Sequence, residues 1–306
     1  MALPTLDNTN VSKHLGQKSE YIAQYDPSLL VREPRAGNRE PLGIRADALP
    51  FVGVDVWNVY EVSGLMNNGV PVAALAKFVY SPTNDYIVES KSAKLYFGSF
   101  NMTKLGDTDS DVFLEIQRRA ITDLSALLET EVQVRVYSSQ SVILEDEQCH
   151  PAMEYHHNYH TLESVVDTTA LQINDYTENP DLLQVFTGDG STKSYHSALL
   201  RSRCRHTGQQ DLADVYIQFR GAQEVTRESL LKYIISFRQE CHFHEEICEA
   251  LYKRLYDLGI FSDLHVICLY TRRGGIDLCI ERASSADLLH GTLGDVSFSH
   301  IKTPRQ

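Results

Sequence analysis

The 306-residue sequence lacks the segments that would direct a chain into a membrane or a secretory pathway. No apolar run approaches the roughly 18 residues that a helix needs to span a bilayer. The first thirty residues contain neither a basic start nor an apolar block, so no secretory signal is predicted. We therefore expect a soluble, cytoplasmic protein that has no membrane partner.

Positive charge is also scarce in this chain. It has 28 Lys and Arg residues against 41 Asp and Glu residues, which gives a formal net charge of −13. A phosphate backbone would repel such a surface, so we expect no direct nucleic-acid partner. Hydrophobic residues make up 42% and charged residues 23%, which is ordinary for a globular protein and argues against disorder.

The sequence has none of the common cysteine or glycine signatures. Its six cysteines include no CxxC pair, which argues against a structural zinc site. In a reducing compartment they are expected to be free thiols. Neither GxGxxG nor GxxxxGK[ST] occurs, so neither a Rossmann domain nor a P-loop is predicted.

The sequence does contain an alternation of strands and helices. In the first half, two apolar runs flank Met66-Asn67-Asn68-Gly69, which is typical of a β-hairpin. Helical spacing follows over residues 90–100 and again after the Asp/Ser cluster at 107–111. The second of these helices has a predicted apolar stripe at Phe113, Ile116, Ala120, Leu124 and Leu127. The run EVQVRVY then alternates like a strand.

The second half repeats this order of elements. Two strand-like runs, residues 195–204 and 213–221, precede two helices, and Gly259 is placed to end the second helix. Two more strands surround the turn at residues 272–275. Both halves thus predict a ββααββ order. The expected fold class is α+β, with two tandem modules that are antiparallel sheets with helices packed on one face.

Composition divides the chain into four segments. Residues 1–45 are polar and rich in Pro, Asn and Arg, and we expect an extended arm there. The first module is predicted over 46–145 and the second over 186–306. Between them, residues 146–185 form a predicted connector with a His-rich run at 149–160, whose spacing fits a loop better than any common metal site.

A thiol and a carboxylate are the first candidates for chemistry. Cys204 lies where an apolar strand gives way to a polar turn, and Asp211 lies seven positions further on, just before the next strand, so a hairpin would bring both to one end of the sheet. The arginines at 201, 203 and 205 could favour the thiolate, and a carboxylate can transfer protons. The residues alone, however, favour the alternative that Cys204 is a buried small hydrophobe, as most free cysteines are.

Three polar segments could bind ligands. The cluster Cys241-His242-Phe243-His244-Glu245-Glu246 could ligate zinc or could be a solvated helix start. The run Glu89-Ser90-Lys91-Ser92-Ala93-Lys94 could hold phosphate at a helix N-terminus or could be a plain cap. The turn Arg272-Arg273-Gly274-Gly275 could bind an anion or be only a basic hairpin turn.

Taken in order, these segments resemble the NADPH-dependent 7-cyano-7-deazaguanine reductase family, the nitrile reductases of queuosine biosynthesis, in its long two-module form. The resemblance rests on YDPSLLVREPRAGNREPLGI, ESKSAKLY, HSALLRSRCRHTGQQD, LLKYIISFRQECHFHEE and YTRRGGID. It implies the tunnelling fold, whose ββααββ units associate into barrels, and a single complete site built from both modules. We therefore expect a homodimer.

The resemblance also implies residue roles. Cys204 would be the nucleophile and Asp211 the proton donor. The residues implied to bind the deazapurine substrate are Val88, Glu89, Ser90, His244 and Glu245. Those implied to bind NADPH are Ser90, Lys91, Arg273 and Gly274, and no metal is required.

The implied reaction reduces the nitrile of 7-cyano-7-deazaguanine to the aminomethyl group through a covalent cysteine thioimide, with two NADPH consumed. Two alternatives remain open at the level of sequence. One is a zinc-dependent cyclohydrolase of the same fold, with Cys241 and His244 as its ligands. The other is a non-catalytic purine- or pterin-binding module whose thiol is incidental.

Overall fold

The computed structural model of the chain describes residues 22, 24–139, 158–205, 208–291 and 293–297. The first half consists of β1 (Arg32–Pro34), α1 (Ala36–Arg39), β2 (Val52–Met66), β3 (Pro71–Tyr80), β4 (Tyr86–Val88), α2 (Ser90–Ser99), β5 (Lys104–Gly106), α3 (Asp109–Leu128) and β6 (Val132–Ser138). The long elements follow the order ββααβ. Residues 140–145, which complete the predicted first module, lie outside the described residues.

The second half consists of β7 (His160–Thr161), α4 (Leu162–Val165), β8 (Val185–Thr187), β9 (Lys193–Arg203), β10 (Gln210–Arg220), β11 (Gln223–Val225), α5 (Arg227–Ser236), α6 (His244–Tyr256), β12 (Asp263–Tyr270) and β13 (Ile276–Ala283). Its long elements have the predicted ββααββ order. Short 3-10 turns lie at Pro27–Leu29, Glu40–Leu42, Phe100–Met102, Pro180–Leu182, Phe237–Gln239 and Ala286–Leu288.

One continuous sheet joins the two halves. Its strand order is β6-β3-β2-β13-β12-β10-β9-β7, and β5 pairs with the end of β2. Strands β2 and β13 pair antiparallel from Val59 opposite Ile276 to Val52 opposite Ala283. The long neighbouring strands are all antiparallel, and the parallel pairs involve only the short β5 and β7. The predicted α+β class is confirmed.

The helices pack on one face of this sheet, as predicted. The main core contains side chains from α2, α3, α5 and α6 together with Trp57 and Phe78 of the first hairpin. On the opposite face, a smaller cluster contains no side chain from these helices: Val56, Val79, Tyr216, Ile267, Leu269, Cys279 and Leu293. No helix among the described residues combines the length and the apolar composition needed to cross a bilayer.

The predicted stripe of α3 is wrong at its two ends. The buried residues of this helix are Val112, Ile116, Ala120, Leu124 and Leu128, whereas Phe113 and Leu127 are only half-buried. Apolar residues four positions apart run obliquely around a helix of 3.6 residues per turn. At each end of α3 two apolar residues are adjacent, and the angle at which the helix crosses the sheet decides which of the two is buried. The periodicity of the sequence does not specify that angle.

Local signals at the turns and caps are confirmed. The hairpin between β2 and β3 has Gly69 at a left-handed φ of 90°. The cap of α3 is a reciprocal pair, in which the Thr108 side chain accepts from the Asp111 amide and the Asp111 carboxylate accepts from the Thr108 amide. Gly259 takes a φ of 66° in the turn after α6.

The predicted extended arm is, from residue 24 onward, packed onto the rest of the molecule. Strand β1 pairs with β4. Arg39, the last residue of α1, and Arg35, the residue just before this helix, are both buried. Arg35 lies 2.5 Å from Asp55 of β2, and Arg39 lies 2.7 Å from Glu249 of α6. Arg282 of β13 contacts both acids, at 2.7 and 2.8 Å. These five buried side chains, the arm network below, tie the arm to both halves.

Candidate active site

The two halves meet around a cavity of about 400 Å³. Its walls come from strand β2, the start of α2, the β9–β10 turn, the start of α6 and the β12–β13 turn. All ten residues implied by the resemblance line it: Val88, Glu89, Ser90, Lys91, Cys204, Asp211, His244, Glu245, Arg273 and Gly274. Their roles remain predictions, but the structure brings them into one place, from both halves of the chain.

The β9–β10 hairpin positions the thiol and the buried carboxylate. Cys204 follows the last residue of β9, and Asp211 pairs with Ser202 across the two strands. The Cys204 amide donates to the Gln209 carbonyl at 2.8 Å, and the Gly208 amide donates to the Cys204 carbonyl at 2.9 Å. This backbone pairing holds Cys204 in a defined position at the mouth of the hairpin.

The surroundings of Cys204 differ from those of an inert core cysteine. Its thiol is half-buried, whereas Cys248, Cys268 and Cys279 are fully buried. The Lys91 ammonium, in the first turn of α2, lies 3.7 Å from the Cys204 sulfur. A neighbouring cation stabilises thiolate over thiol, and partial exposure lets a ligand reach the sulfur. The geometry therefore favours the nucleophile over the buried-hydrophobe alternative.

Asp211 is a buried carboxylate with two cationic or polar neighbours. Arg273 donates to one of its oxygens, and the His244 Nε2 atom lies 3.6 Å from the other. Burial acts to raise the pKa of Asp211, but hydrogen bonding and charge from His244 and Arg273 outweigh it and lower the pKa below its usual 3.8. Asp211 is therefore ionised at neutral pH in the ligand-free cavity, and it must first gain a proton before it can donate one.

Two further carboxyl groups, those of Glu89 and Glu245, line the cavity. Glu89 caps α2 by accepting from the Ser92 amide at 2.7 Å, which leaves its second oxygen 3.7 Å from Lys91. Glu245, in the first turn of α6, is 2% exposed, and its Oε1 has no hydrogen-bond partner among the described residues. Burial and the nearby charge of Asp55 raise the pKa of Glu245 to about 8.

The start of α6 is therefore not the solvated helix start that was one of the two interpretations. Glu245 and Glu246 are both buried, because the helix begins beneath the cavity rather than at the surface. A buried carboxyl with an oxygen that lacks a partner is suited to accept hydrogen bonds from ligand N–H groups.

Cations line the open rim of the cavity. Lys91 and Lys94 of α2 are about half exposed, and Arg205 and Arg273 are 40% and 36% exposed. Gly274 has a φ of 60°, and a Cβ atom there would lie 3.1 Å from the Lys94 side chain. A close glycine turn beside several cations fits the phosphates of a dinucleotide, so these residues fit NADPH.

Several residues that line the cavity had no individual role predicted for them. Trp57 and Gln209 were not singled out, and Lys94, His242 and Phe243 appeared only within segments that could bind ligands. His242 lies between Glu240 at 3.1 Å and Glu246 at 3.0 Å, and these hydrogen bonds raise its pKa to about 9. The sequence has glutamates two positions before and four positions after His242, and this spacing could have predicted that His242 is held as a cation. Trp57 had no such signal, since the β2 pattern predicts only that it is buried.

The zinc interpretation finds no ligand set in the described part of the chain. No group of three or more His, Cys, Asp or Glu side chains there is placed to hold a metal ion. Of the two candidate ligands, His244 lines the cavity and stacks on Tyr270 with ring centroids 3.9 Å apart. Cys241 instead contacts the Gln239 carbonyl at 3.8 Å and does not line the cavity.

Fold and cavity together define a two-module α+β enzyme with a thiol, flanking carboxyl groups and a cationic rim. Comparison with protein families agrees with this class. The family model described as nitrile reductase, 7-cyano-7-deazaguanine-reductase N-term, matches residues 21–136, and the model described as QueF-like protein matches residues 210–287. The chain belongs to the 7-cyano-7-deazaguanine reductases, the NADPH-dependent nitrile reductases of queuosine biosynthesis.

Proposed function

We propose that this chain reduces the nitrile of 7-cyano-7-deazaguanine to 7-aminomethyl-7-deazaguanine through a covalent thioimide on Cys204, with two NADPH consumed. The observation that carries this proposal is the 3.7 Å approach of Lys91 to the Cys204 sulfur inside a cavity that also holds Glu89 and Glu245. A thiol beside a cation, in a cavity that also offers acceptors for a purine-like base, is suited to attack a carbon carried by that base once its proton is removed.

The two glutamates are suited to bind the base. The deazaguanine presents N–H donors on its pyrimidine edge and at its pyrrole nitrogen, and a carboxylate offers only acceptors. Glu89 has one oxygen free of its capping bond, and Glu245 has an unpartnered Oε1. Val88, which is buried, supplies an apolar contact, and Ser90 and His244 stand beside the base.

Asp211 and Cys204 form the acid–base pair for adduct formation. The Asp211 carboxylate takes the thiol proton, and the Cys204 sulfur then bonds to the nitrile carbon. One π bond of the nitrile breaks, and protonated Asp211 returns the proton to its nitrogen. The proton on nitrogen is thus the one that left sulfur, and the step needs no outside acid, oxidant or reductant. His244, 3.6 Å from Asp211, helps to hold that carboxyl in place.

Residues of the rim would hold the cofactor. Ser90 and Lys91 at the start of α2, and Arg273 and Gly274 in the β12–β13 turn, face the cavity from both sides. When bound there, NADPH supplies hydride, and the change from nitrile to amine is a four-electron reduction that requires two hydrides. The walls of the cavity limit access of water to the bound imine.

The proposal includes a homodimer that binds small molecules and no nucleic acid. Among the described residues, the sheet ends at β6 and β7, so a barrel can close only by association with another copy. Light scattering coupled to size-exclusion chromatography tests this expectation, and a monomeric mass would contradict it.

Intact-mass spectrometry tests the covalent step. Protein mixed with 7-cyano-7-deazaguanine and no NADPH should gain the mass of one substrate. Cys204→Ala should gain none, whereas Cys241→Ala, which removes a partly exposed thiol outside the cavity, should gain it fully. A gain that survives in Cys204→Ala would contradict the proposal.

Two further measurements separate the alternatives. NADPH oxidation that depends on the cyano substrate is expected of the reductase and not of a non-catalytic binding module. The zinc content of the purified protein separates the reductase from a cyclohydrolase, because the latter needs one metal ion per site.

A further inference from the structure

Arg273 connects the surface of the cavity to its buried carboxylate. Its Nη1 atom donates to Asp211, and its Nη2 atom donates to the side-chain oxygen of Gln209. The guanidinium is about one-third exposed, whereas Asp211 is 3% exposed. Arg273 thus reaches inward from the rim, and both of its terminal nitrogens have partners within the chain.

The same arginine stands where a phosphate would bind. It precedes Gly274, whose left-handed turn brings the backbone against Lys94. Recognition of a phosphate by arginine usually uses two parallel N–H groups. Asp211 and Gln209 take one N–H each of the five that the guanidinium offers, so a phosphate at the rim competes with both for the charge and the orientation of this side chain.

We propose that Arg273 exchanges the Asp211 carboxylate for a phosphate of the bound dinucleotide, and that this exchange couples cofactor binding to proton transfer at Cys204. The inference rests on the proposed function, since it assigns the phosphate site to the β12–β13 turn. Hydrogen bonding and charge from His244, together with the Arg273 ion pair, keep Asp211 a weak base. Once Arg273 turns to the phosphate, Asp211 can take the thiol proton more readily.

The groups that face Asp211 support this coupling. His244 faces it from α6, Tyr270 from β12 and Arg273 from the turn. His244 contributes more to the lowered pKa of Asp211 and Arg273 also contributes, so loss of the Arg273 pair raises the affinity of the carboxylate for a proton. Lys91 stands by the Cys204 sulfur and is placed to stabilise the thiolate that results.

The pH dependence of adduct formation tests the exchange without hydride transfer. The rate of mass gain with 7-cyano-7-deazaguanine is measured without NADPH, in the presence and absence of 2′,5′-ADP, which carries phosphates but no nicotinamide. Asp211 must be ionised to accept the thiol proton, so the rate falls on the acid side as Asp211 is protonated. Saturating 2′,5′-ADP should move the midpoint of this fall upward by about one pH unit or more.

Two variants make the test specific. Arg273→Ala should show the raised midpoint already without the probe, and 2′,5′-ADP should move it no further. Arg220→Ala removes a cation of β10 that lies outside the cavity and whose ion pair is with Asp263, at 2.5 Å, rather than with Asp211. It should keep the parent midpoint and still respond to saturating probe. Thermal unfolding of each variant confirms that it is folded.

The proposal is overturned if saturating 2′,5′-ADP leaves the midpoint unmoved, if the probe does not bind, or if Arg273→Ala keeps the parent midpoint. These outcomes differ from failure of the proposed function, in which the parent protein forms no adduct at any pH.

Discussion

The Lys91 ammonium lies 3.7 Å from the Cys204 sulfur, although the two residues are 113 positions apart in the chain. Lys91 belongs to the first module and Cys204 to the second, so the thiol acquires its cation only when the two halves share one sheet. Reactivity of this cysteine therefore depends on the folded arrangement of the whole chain.

The first prediction concerns this contact. Lys91→Ala should slow alkylation of Cys204 by iodoacetamide at neutral pH about tenfold, the equivalent of ~1.4 kcal/mol, and move the alkylation profile to higher pH, because the thiolate loses its nearest cation. Peptide mass spectrometry after timed labelling measures the rate. Lys94→Ala, one turn further along α2, should label at the parent rate. Equal labelling of all three proteins would remove Lys91 from this role.

The second prediction concerns Asp211. Asp211→Asn should still bind the base but form the thioimide about 10²- to 10⁴-fold more slowly, since an amide cannot take the thiol proton. Binding is measured by calorimetry and adduct formation by intact mass. Asp214→Asn is the matched control, because Asp214 is a buried carboxyl of the same strand that pairs with His196 and does not line the cavity. Adduct formation by Asp211→Asn at the parent rate would contradict the assigned role.

The third prediction concerns the ionisation of Glu245. Its pKa of about 8 means that it is mostly protonated at pH 7, whereas the N–H groups of the base favour the carboxylate. Binding at pH 7 should therefore release a proton, and affinity should improve with rising pH until about pH 8. Calorimetry in buffers of different ionisation enthalpy measures the released proton.

Glu245→Gln should bind the base roughly 10- to 100-fold more weakly and without proton release. Glu228→Gln, at an exposed first-turn glutamate of α5, should leave the affinity for the base and the proton release unchanged. Proton release that persists in Glu245→Gln would assign the titration to another group.

The fourth prediction concerns the arm network. Glu249→Gln should lower the free energy of unfolding by about 3–5 kcal/mol, because Arg39 and Arg282 lose their shared buried counter-ion. Burial alone would raise the pKa of Glu249. The surrounding arginines outweigh burial and lower this pKa below its usual 4.5. Its stabilising contribution is thus complete above pH 4.5 and is lost as pH falls through the lowered pKa.

Urea unfolding at pH 7 measures this loss. Glu115→Gln is the control, since Glu115 pairs with Arg118 and Arg119 along the partly exposed face of α3 and should cost less than ~1 kcal/mol. A similar small cost for Glu249→Gln would show that the network contributes little to stability.

Much of the local structure was predictable. The Asn-Gly turn at residues 68–69, the cap at Thr108 and the alternation of Val132, Val134 and Val136 each depend on a few adjacent residues. Their turn, cap and strand preferences act over short distances, so periodicity and capping signals were sufficient. The candidate site residues were instead predicted from resemblance to a family, because no spacing rule connects Glu89 to Glu245.

The sequence by itself determined the order of the long strands and helices and the α+β class and, through resemblance to a family, pointed to ten of the residues that line the cavity. Only the tertiary structure decided that β2 and β13 pair, that the polar arm buries Arg35 and Arg39, and that Arg273 reaches Asp211. The physical reason is the range of the forces involved. Turn and helix preferences act between neighbours in the chain, whereas the partner of a buried charge is set by strand order and packing between segments up to some two hundred residues apart.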